Sequence, residues 1–247
     1  MKPWSEKDDP IWQRLEGDNQ YPDHPGAQAL VEEYMARSAE LSQKFMHCVS
    51  ECLSLPPTTF ASFKGEMDRL KFIKYPQAAP GSQGVGPHKD SSGLFTFLSQ
   101  DDTGGLQVLN KNGEWIDAPP VEGSLVVNIQ QGLEAITGGV CAATTHRVVV
   151  CSLPPPPSLF ESKDEANVAK APTTKTRHSI AFFLAVRMDL TTEELRESAA
   201  HIVKRIPASD DKKKRAVDVP SEFLSPLYSC VSALCPFFLQ ILSLTVG

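Results

Sequence analysis

Between residues 70 and 186 the chain is cut into short apolar runs, each bounded by Gly, Pro or Asn. They are Leu70–Tyr75, Leu94–Leu98, Leu106–Leu109, Trp115–Ala118, Ser124–Ile129, His146–Cys151 and Ile180–Val186. Strands this short, roughly evenly spaced and not alternating with helices, favour a sandwich, jelly roll or barrel. Asn112-Gly113, set between two such runs, predicts a two-residue hairpin turn with both positions at positive φ.

Helical spacing is confined to the flanks. From Gly26, the residues Leu30, Tyr34, Leu41, Phe45, Val49 and Leu53 recur at three-, four- or sevenfold intervals, with charged residues between them. Leu55-Pro56-Pro57 ends that helix. A second helical pattern covers Glu193–Ile206. Residues 1–25 read as an irregular lead-in, and 153–176, opening with four prolines in a row, as a solvent loop. The expected organisation is a lead-in and scaffold helix over 1–67, a β core over 68–206, and a charged linker with an apolar tail over 207–247.

The charge balance bounds the partners. Lys and Arg number 24 against 30 Asp and Glu, a formal charge of −6, which argues against a phosphate-neutralising nucleic-acid binder. Six cysteines without a CxxC pair, and a charged opening MKPWSEKDDPIW, point to reduced thiols in a cytoplasmic protein. A monomer is expected.

The chemistry concentrates in a few places. On a strand, His88 and Asp90 would share one face with Lys89 turned away. An imidazole beside a carboxylate supplies two-thirds of the facial triad that holds non-haem Fe(II). Alone the pair is weak, because six His and the Asp content give about one-third of an HxD by chance. Among the remaining histidines, His24 lies in the lead-in, His47 faces out of the long helix and His201 sits in a late helix. His146 instead opens a β-branched run, where it is either a third ligand or a hydrogen-bonded histidine at a strand start. Arg177 and Ser179 fall on one face of a later strand, offering a guanidinium fork and a hydroxyl to a single carboxylate.

The order of these pieces resembles the 2-oxoglutarate/Fe(II)-dependent dioxygenases, and within them the isopenicillin N synthase-like branch. The resemblance covers about residues 15–205 and is closest over 68–188. It implies a double-stranded β-helix, or jelly roll, mainly β with flanking helices. It implies His88, Asp90 and His146 as Fe(II) ligands, and Arg177 and Ser179 as the grip on the distal carboxylate of 2-oxoglutarate, with Tyr75 as a further contact. The cosubstrates implied are 2-oxoglutarate and O₂, and the substrate a small organic molecule in specialised metabolism. Asn128 and the stretches 104–108 and 123–128 match scaffold signatures of the same family. Gln130-Gln131 replaces its Gly-Asp, the stretch 138–145 lacks its Asn-Gly and basic residues, and the 153–176 loop delays the arginine. The lead-in is shorter than the family's.

Three other readings are open: an Fe(II) oxidase using O₂ without 2-oxoglutarate, a non-catalytic or truncated jelly-roll binding protein, and a zinc hydrolase. Arg177 and Ser179 count against the first, a full ligand set against the second, and the lack of a marked general base against the third. The uncharged segment 223–247 superficially suits a membrane anchor. Pro226, Pro236 and several serines interrupt it. The family resemblance implies a charged, amphipathic end instead, and the pattern continues as far as Leu227-Tyr228-Ser229-Cys230. The last ~17 residues therefore read as foreign to the ancestral fold, sticky and poorly packed, with a core-packing segment as the next reading and an anchor last.

Overall fold

The computed structural model describes residues 19–91, 93–150 and 175–206 of the 247-residue chain. Most of the expected lead-in and proline-rich loop, Cys151, the 207–222 linker and the apolar tail lie outside the described residues. Among the described residues, no helix is long and apolar enough to cross a membrane.

In chain order the elements are α1 (Ala27–Cys52), β1 (Arg69–Tyr75), β2 (Gln83–His88), β3 (Gly93–Gln100), β4 (Leu106–Leu109), β5 (Trp115–Asp117), β6 (Val126–Ile129), α2 (Gln131–Ile136), β7 (His146–Val149), β8 (Arg177–Ala185) and α3 (Thr192–Arg205). Among the described residues, eight strands form two antiparallel sheets in the orders β1-β8-β3-β6 and β2-β7-β4-β5. This is the jelly roll that the family resemblance implies, and one of the three architectures that the run lengths favour. Every run named above contributes a strand, while two elements escape a pattern-based reading. One is β2, whose QGVGPH is too poor in β-formers to stand out; the other is the six-residue α2.

The larger sheet has an apolar outer face and a largely polar inner one. Phe95, Phe97, Phe182 and Leu184 point outward beneath α1, where Phe45 meets Phe95 and Phe97 edge-on at 4.8 and 5.6 Å between ring centroids. Such aromatic pairs add about 0.5–1.5 kcal/mol each beyond their area burial. The α1 stripe differs from the expected one at its start: Leu30 is 69% exposed, and the buried positions include Ser38, Ser42 and Ser50. Ser42 and Ser50 return their hydroxyls to the carbonyls of Ser38 and Met46, so burial leaves those hydroxyls paired. The helix ends because Ser54 adopts φ 58° and the Leu55 N–H closes back onto the Ser50 carbonyl, ahead of Pro56.

The β4–β5 turn also departs from the expected two-residue form. Only Gly113 is at positive φ, and the loop spans 111–113. The Asn110 side chain accepts the N–H groups of Asn112 and Glu114, favouring a turn with a left-handed glycine at its end.

The inner face of the larger sheet follows from register. Tyr75 lies opposite Arg177, Ile73 opposite Ser179, Lys71 opposite Ala181 and Arg69 opposite Phe183. On the other side of β8, Gln100, Leu98 and Thr96 oppose Ser179, Ala181 and Phe183, and Asn128 opposes Thr96. Because partners share a face, these residues look together across the barrel at Leu106, Val108, His146 and Val148 of the smaller sheet.

Candidate active site

His88 and His146 are paired across β2 and β7, and two register irregularities in that pairing re-aim the end of β2. Asp90 is not on the strand, contrary to the strand-based expectation. It lies just beyond β2, where the chain crosses to the other sheet, and its carbonyl accepts the Gln131 N–H at 2.9 Å. The three side chains nevertheless converge, each offering a donor atom within 4.8 Å of the others.

Each donor is set by a partner that fixes its orientation. His88 Nδ1 sits 2.8 Å from the Gly86 carbonyl and His146 Nδ1 3.0 Å from that of Thr144. A proton on each Nδ1 satisfies those carbonyls and turns the Nε2 lone pairs inward. Both Nε2 atoms face one oxygen, Asp90 Oδ1, at 3.6 and 3.8 Å. Asp90 Oδ2 is already engaged, accepting from Thr96 Oγ1 at 2.6 Å and Asn128 Nδ2 at 2.8 Å. The carboxylate therefore presents one oxygen, not two, to whatever the histidines share.

Burial pushes the His146 pKa below its ordinary value, and the Thr144 carbonyl and Asp90 only partly offset this. The imidazole is thus neutral and able to ligate at neutral pH. The sign of the linked stability follows. The unfolded chain takes up this proton first, so metal-free protein loses stability as pH falls through the unfolded value near 6.5. Urea titrations of chelator-treated protein from neutral pH downward should show that loss, and His146→Gln should flatten it.

Deeper on the same inner face is the second cluster. Arg177 is buried, its Nη1 donates to Ser179 Oγ at 3.2 Å, and its Nη2 donates to Gln100 Oε1 at 3.0 Å. The guanidinium carbon lies 4.9 Å from the centroid of the buried Tyr75 ring. Tyr75 in turn packs against Gly84, where a Cβ would come within 2.8 Å of the ring, so β2 approaches this closely only because it carries glycine there. Burial works to raise the nearby Asp101 carboxyl, but N–H groups from His178 and Thr103 outweigh it and hold the pKa down. Thr96 and Gln100 are four residues apart on β3, which separates the two clusters by about 13 Å of strand.

All six residues singled out in the sequence therefore face one interior: His88, Asp90 and His146 at one level, Arg177, Ser179 and Tyr75 at the other. His24, His47 and His201 are exposed elsewhere. Thr96 and Gln100 were missed. The signal for Thr96 was a polar residue inside the run Leu94–Leu98, which on a buried strand must point at something polar. The Gln130-Gln131 departure is accommodated: Gln130 is buried and donates to the Phe95 carbonyl at 2.7 Å. It packs so tightly on Gly93 that a Cβ there would lie 2.4 Å from Gln130 Oε1.

Comparison with known proteins places this arrangement. Residues 67–154 match the model of the 2OG-Fe(II) oxygenase superfamily. A 2-oxoglutarate-dependent dioxygenase of Dothideomycetidae sp. is 38% identical over 195 residues, covering 76% of this chain and 48% of that protein. One from Gibberella zeae is 36% identical over 209 residues, covering 80% and 52%. The chain thus spans about half the length of the curated relatives it matches. Among solved structures, a full-length Neurospora crassa protein in complex with alpha-KG superposes with a TM-score of 0.56. Its identity is 26%, over 76% of this chain and 64% of that one.

Proposed function

We propose that this chain, which belongs to the 2OG-Fe(II) oxygenase superfamily, is an Fe(II)- and 2-oxoglutarate-dependent oxygenase of a small organic substrate. The observation that carries the reading is the convergence of His88 Nε2, His146 Nε2 and Asp90 Oδ1, with Arg177 and Ser179 deeper on the same face.

The donor chemistry fits the metal. Two imidazoles that turn Nε2 inward and one carboxylate that presents a single oxygen form a two-histidine, one-carboxylate set that leaves coordination positions open, as non-haem Fe(II) oxygenases require. When bound, Fe(II) supplies activation of O₂ coupled to oxidative decarboxylation of 2-oxoglutarate, which is the alpha-KG held in the Neurospora crassa structure. The protein's own part is positioning. Gly86 and Thr144 carbonyls hold the imidazole tautomers, while Thr96 and Asn128 hold Asp90 to a single ligating oxygen. Arg177 neutralises the distal carboxylate of 2-oxoglutarate with a planar fork, Ser179 adds a hydroxyl, and the Tyr75 ring keeps water from that end. Leu98 and Ala181, between the two levels, give the cosubstrate an apolar floor.

Arg177 and Ser179 support 2-oxoglutarate over an O₂-only oxidase, because a buried guanidinium beside a hydroxyl matches the distal carboxylate of that cosubstrate. The test is anaerobic titration of the full chain with Fe(II) and 2-oxoglutarate, followed by a metabolite screen for succinate release in air. Stoichiometric binding of both with substrate-stimulated succinate is expected; binding of neither removes the reading, and binding without turnover of any metabolite favours a non-catalytic binding protein. Asn128→Ala and Thr96→Val should each weaken Fe(II) binding by about 10–100-fold, as loss of a group orienting a ligand does. A competition titration against a colorimetric chelator reads that change directly.

A further inference from the structure

The inner face of β1 carries two cations with no part in either cluster. Arg69 and Lys71 each lie 5.4 Å from the centroid of the Phe183 ring, and both are exposed. Neither makes an ion pair or hydrogen bond among the described residues. The half-buried acid nearby, Asp68, is taken: it accepts the Ala185 N–H at 2.9 Å and pairs with Lys64 at 3.4 Å.

β1 is an edge strand, and lysines on edges commonly discourage pairing with other chains. On this strand Lys74 is placed for that task, because it points to the outer face. Arg69 and Lys71 point the other way, into the mouth of the barrel. Arg69, Phe183 and Thr96 are successive cross-strand neighbours, and Thr96 donates to Asp90. Two strand spacings, about 10 Å, therefore separate the backbone of Arg69 from the residue that orients the candidate ligand. Arg177 and Gln100 occupy the opposite end of the same face. A molecule placed beside the candidate metal and away from the clamp would meet an aromatic ring flanked by two positive charges.

We infer that Arg69 and Lys71 form the subsite that selects the substrate, a small molecule with an anionic group, carboxylate or phosphate, on an apolar frame resting against Phe183. This rests on the oxygenase reading above. The guanidinium offers a bidentate fork and the ammonium a point charge, together matching one oxyanion group. A neutral substrate would leave both charges idle at the mouth.

The test uses the full chain, wild type and R69Q/K71Q, with Fe(II) under anaerobic conditions, both with and without saturating 2-oxoglutarate. The probes are aromatic and aliphatic frames of graded length, each as carboxylate, phosphate monoester and neutral primary amide, scored by ligand-observed NMR. An anionic member should bind at least about tenfold tighter than its amide, an advantage of about 1.4 kcal/mol. That advantage should vanish in R69Q/K71Q while 2-oxoglutarate affinity stays unchanged. Preference for carboxylate over phosphate, or the reverse, identifies the head group. Equal binding of amides, an anion preference that survives the double substitution, or no anionic binder at all overturns the inference. If wild type holds no 2-oxoglutarate yet shows an anion preference mapping to the pair, the oxygenase reading fails and the subsite stands.

Discussion

Replacing Asp90 by alanine is expected to abolish Fe(II) retention and to lower 2-oxoglutarate turnover by at least about a thousandfold. The reason is the division of labour between its two oxygens. Oδ2 is held by Thr96 and Asn128, and Oδ1 is the atom both imidazoles face. Disturbing groups that merely orient ligands lowers metal affinity by about 10–100-fold, and removing the ligand itself must exceed that. The fold should survive. The Thr96 hydroxyl and Asn128 amide lose a buried acceptor, a penalty of about 1–3 kcal/mol, which would lower the melting temperature without unfolding the chain. Asp90→Asn is the sharper control, since it keeps the shape and can still accept a hydrogen bond but has no charge. Metal content after gel filtration, together with succinate release, reads both variants; normal iron retention in either would move the metal elsewhere.

Arg177→Lys should weaken 2-oxoglutarate binding by about 1–3 kcal/mol, a factor of roughly 5–150, without changing Fe(II) affinity. A lysine keeps the charge but cannot donate to Ser179, Gln100 and a carboxylate in one plane, and it stacks less well on Tyr75. Arg177→Met removes the charge as well and should bind no measurable cosubstrate. Calorimetry with the metal-loaded protein separates the two losses. An unchanged affinity in Arg177→Lys would mean that the planar fork is not what holds the distal carboxylate.

How much of this was legible in the sequence depended on whether the signal was local. The strands around Phe95, Val108 and Phe182 declare themselves because buried β segments need consecutive or alternating apolar residues. Arg177 and Ser179 were placed on one face by the two-residue strand period alone. β2 hid because its glycines serve packing, not propensity: Gly84 makes room for Tyr75, a residue in another sheet. The same limit applied to Asp90. Its shared face with His88 looked like strand geometry, whereas its position is fixed by Thr96 and Asn128, contacts six and 38 residues away. Gln100 was invisible for the same reason, since its partner Arg177 lies 77 residues on. The β4–β5 turn was misjudged locally, because Asn110, outside the two turn positions considered, captures two backbone N–H groups.

The pairing of His88 with His146 reaches beyond catalysis. These residues sit opposite each other where β2 and β7 join in an irregular, twice-shifted ladder, with roughly 60 residues of chain looping between them. A metal gripped by both would act as a clasp across the least regular seam of the smaller sheet, closing that long loop much as a cross-link does. Iron supply would then govern how long the folded molecule lasts as well as how fast it works. Without metal that seam would be the first to give way, and limited proteolysis of chelator-treated protein should cut there first.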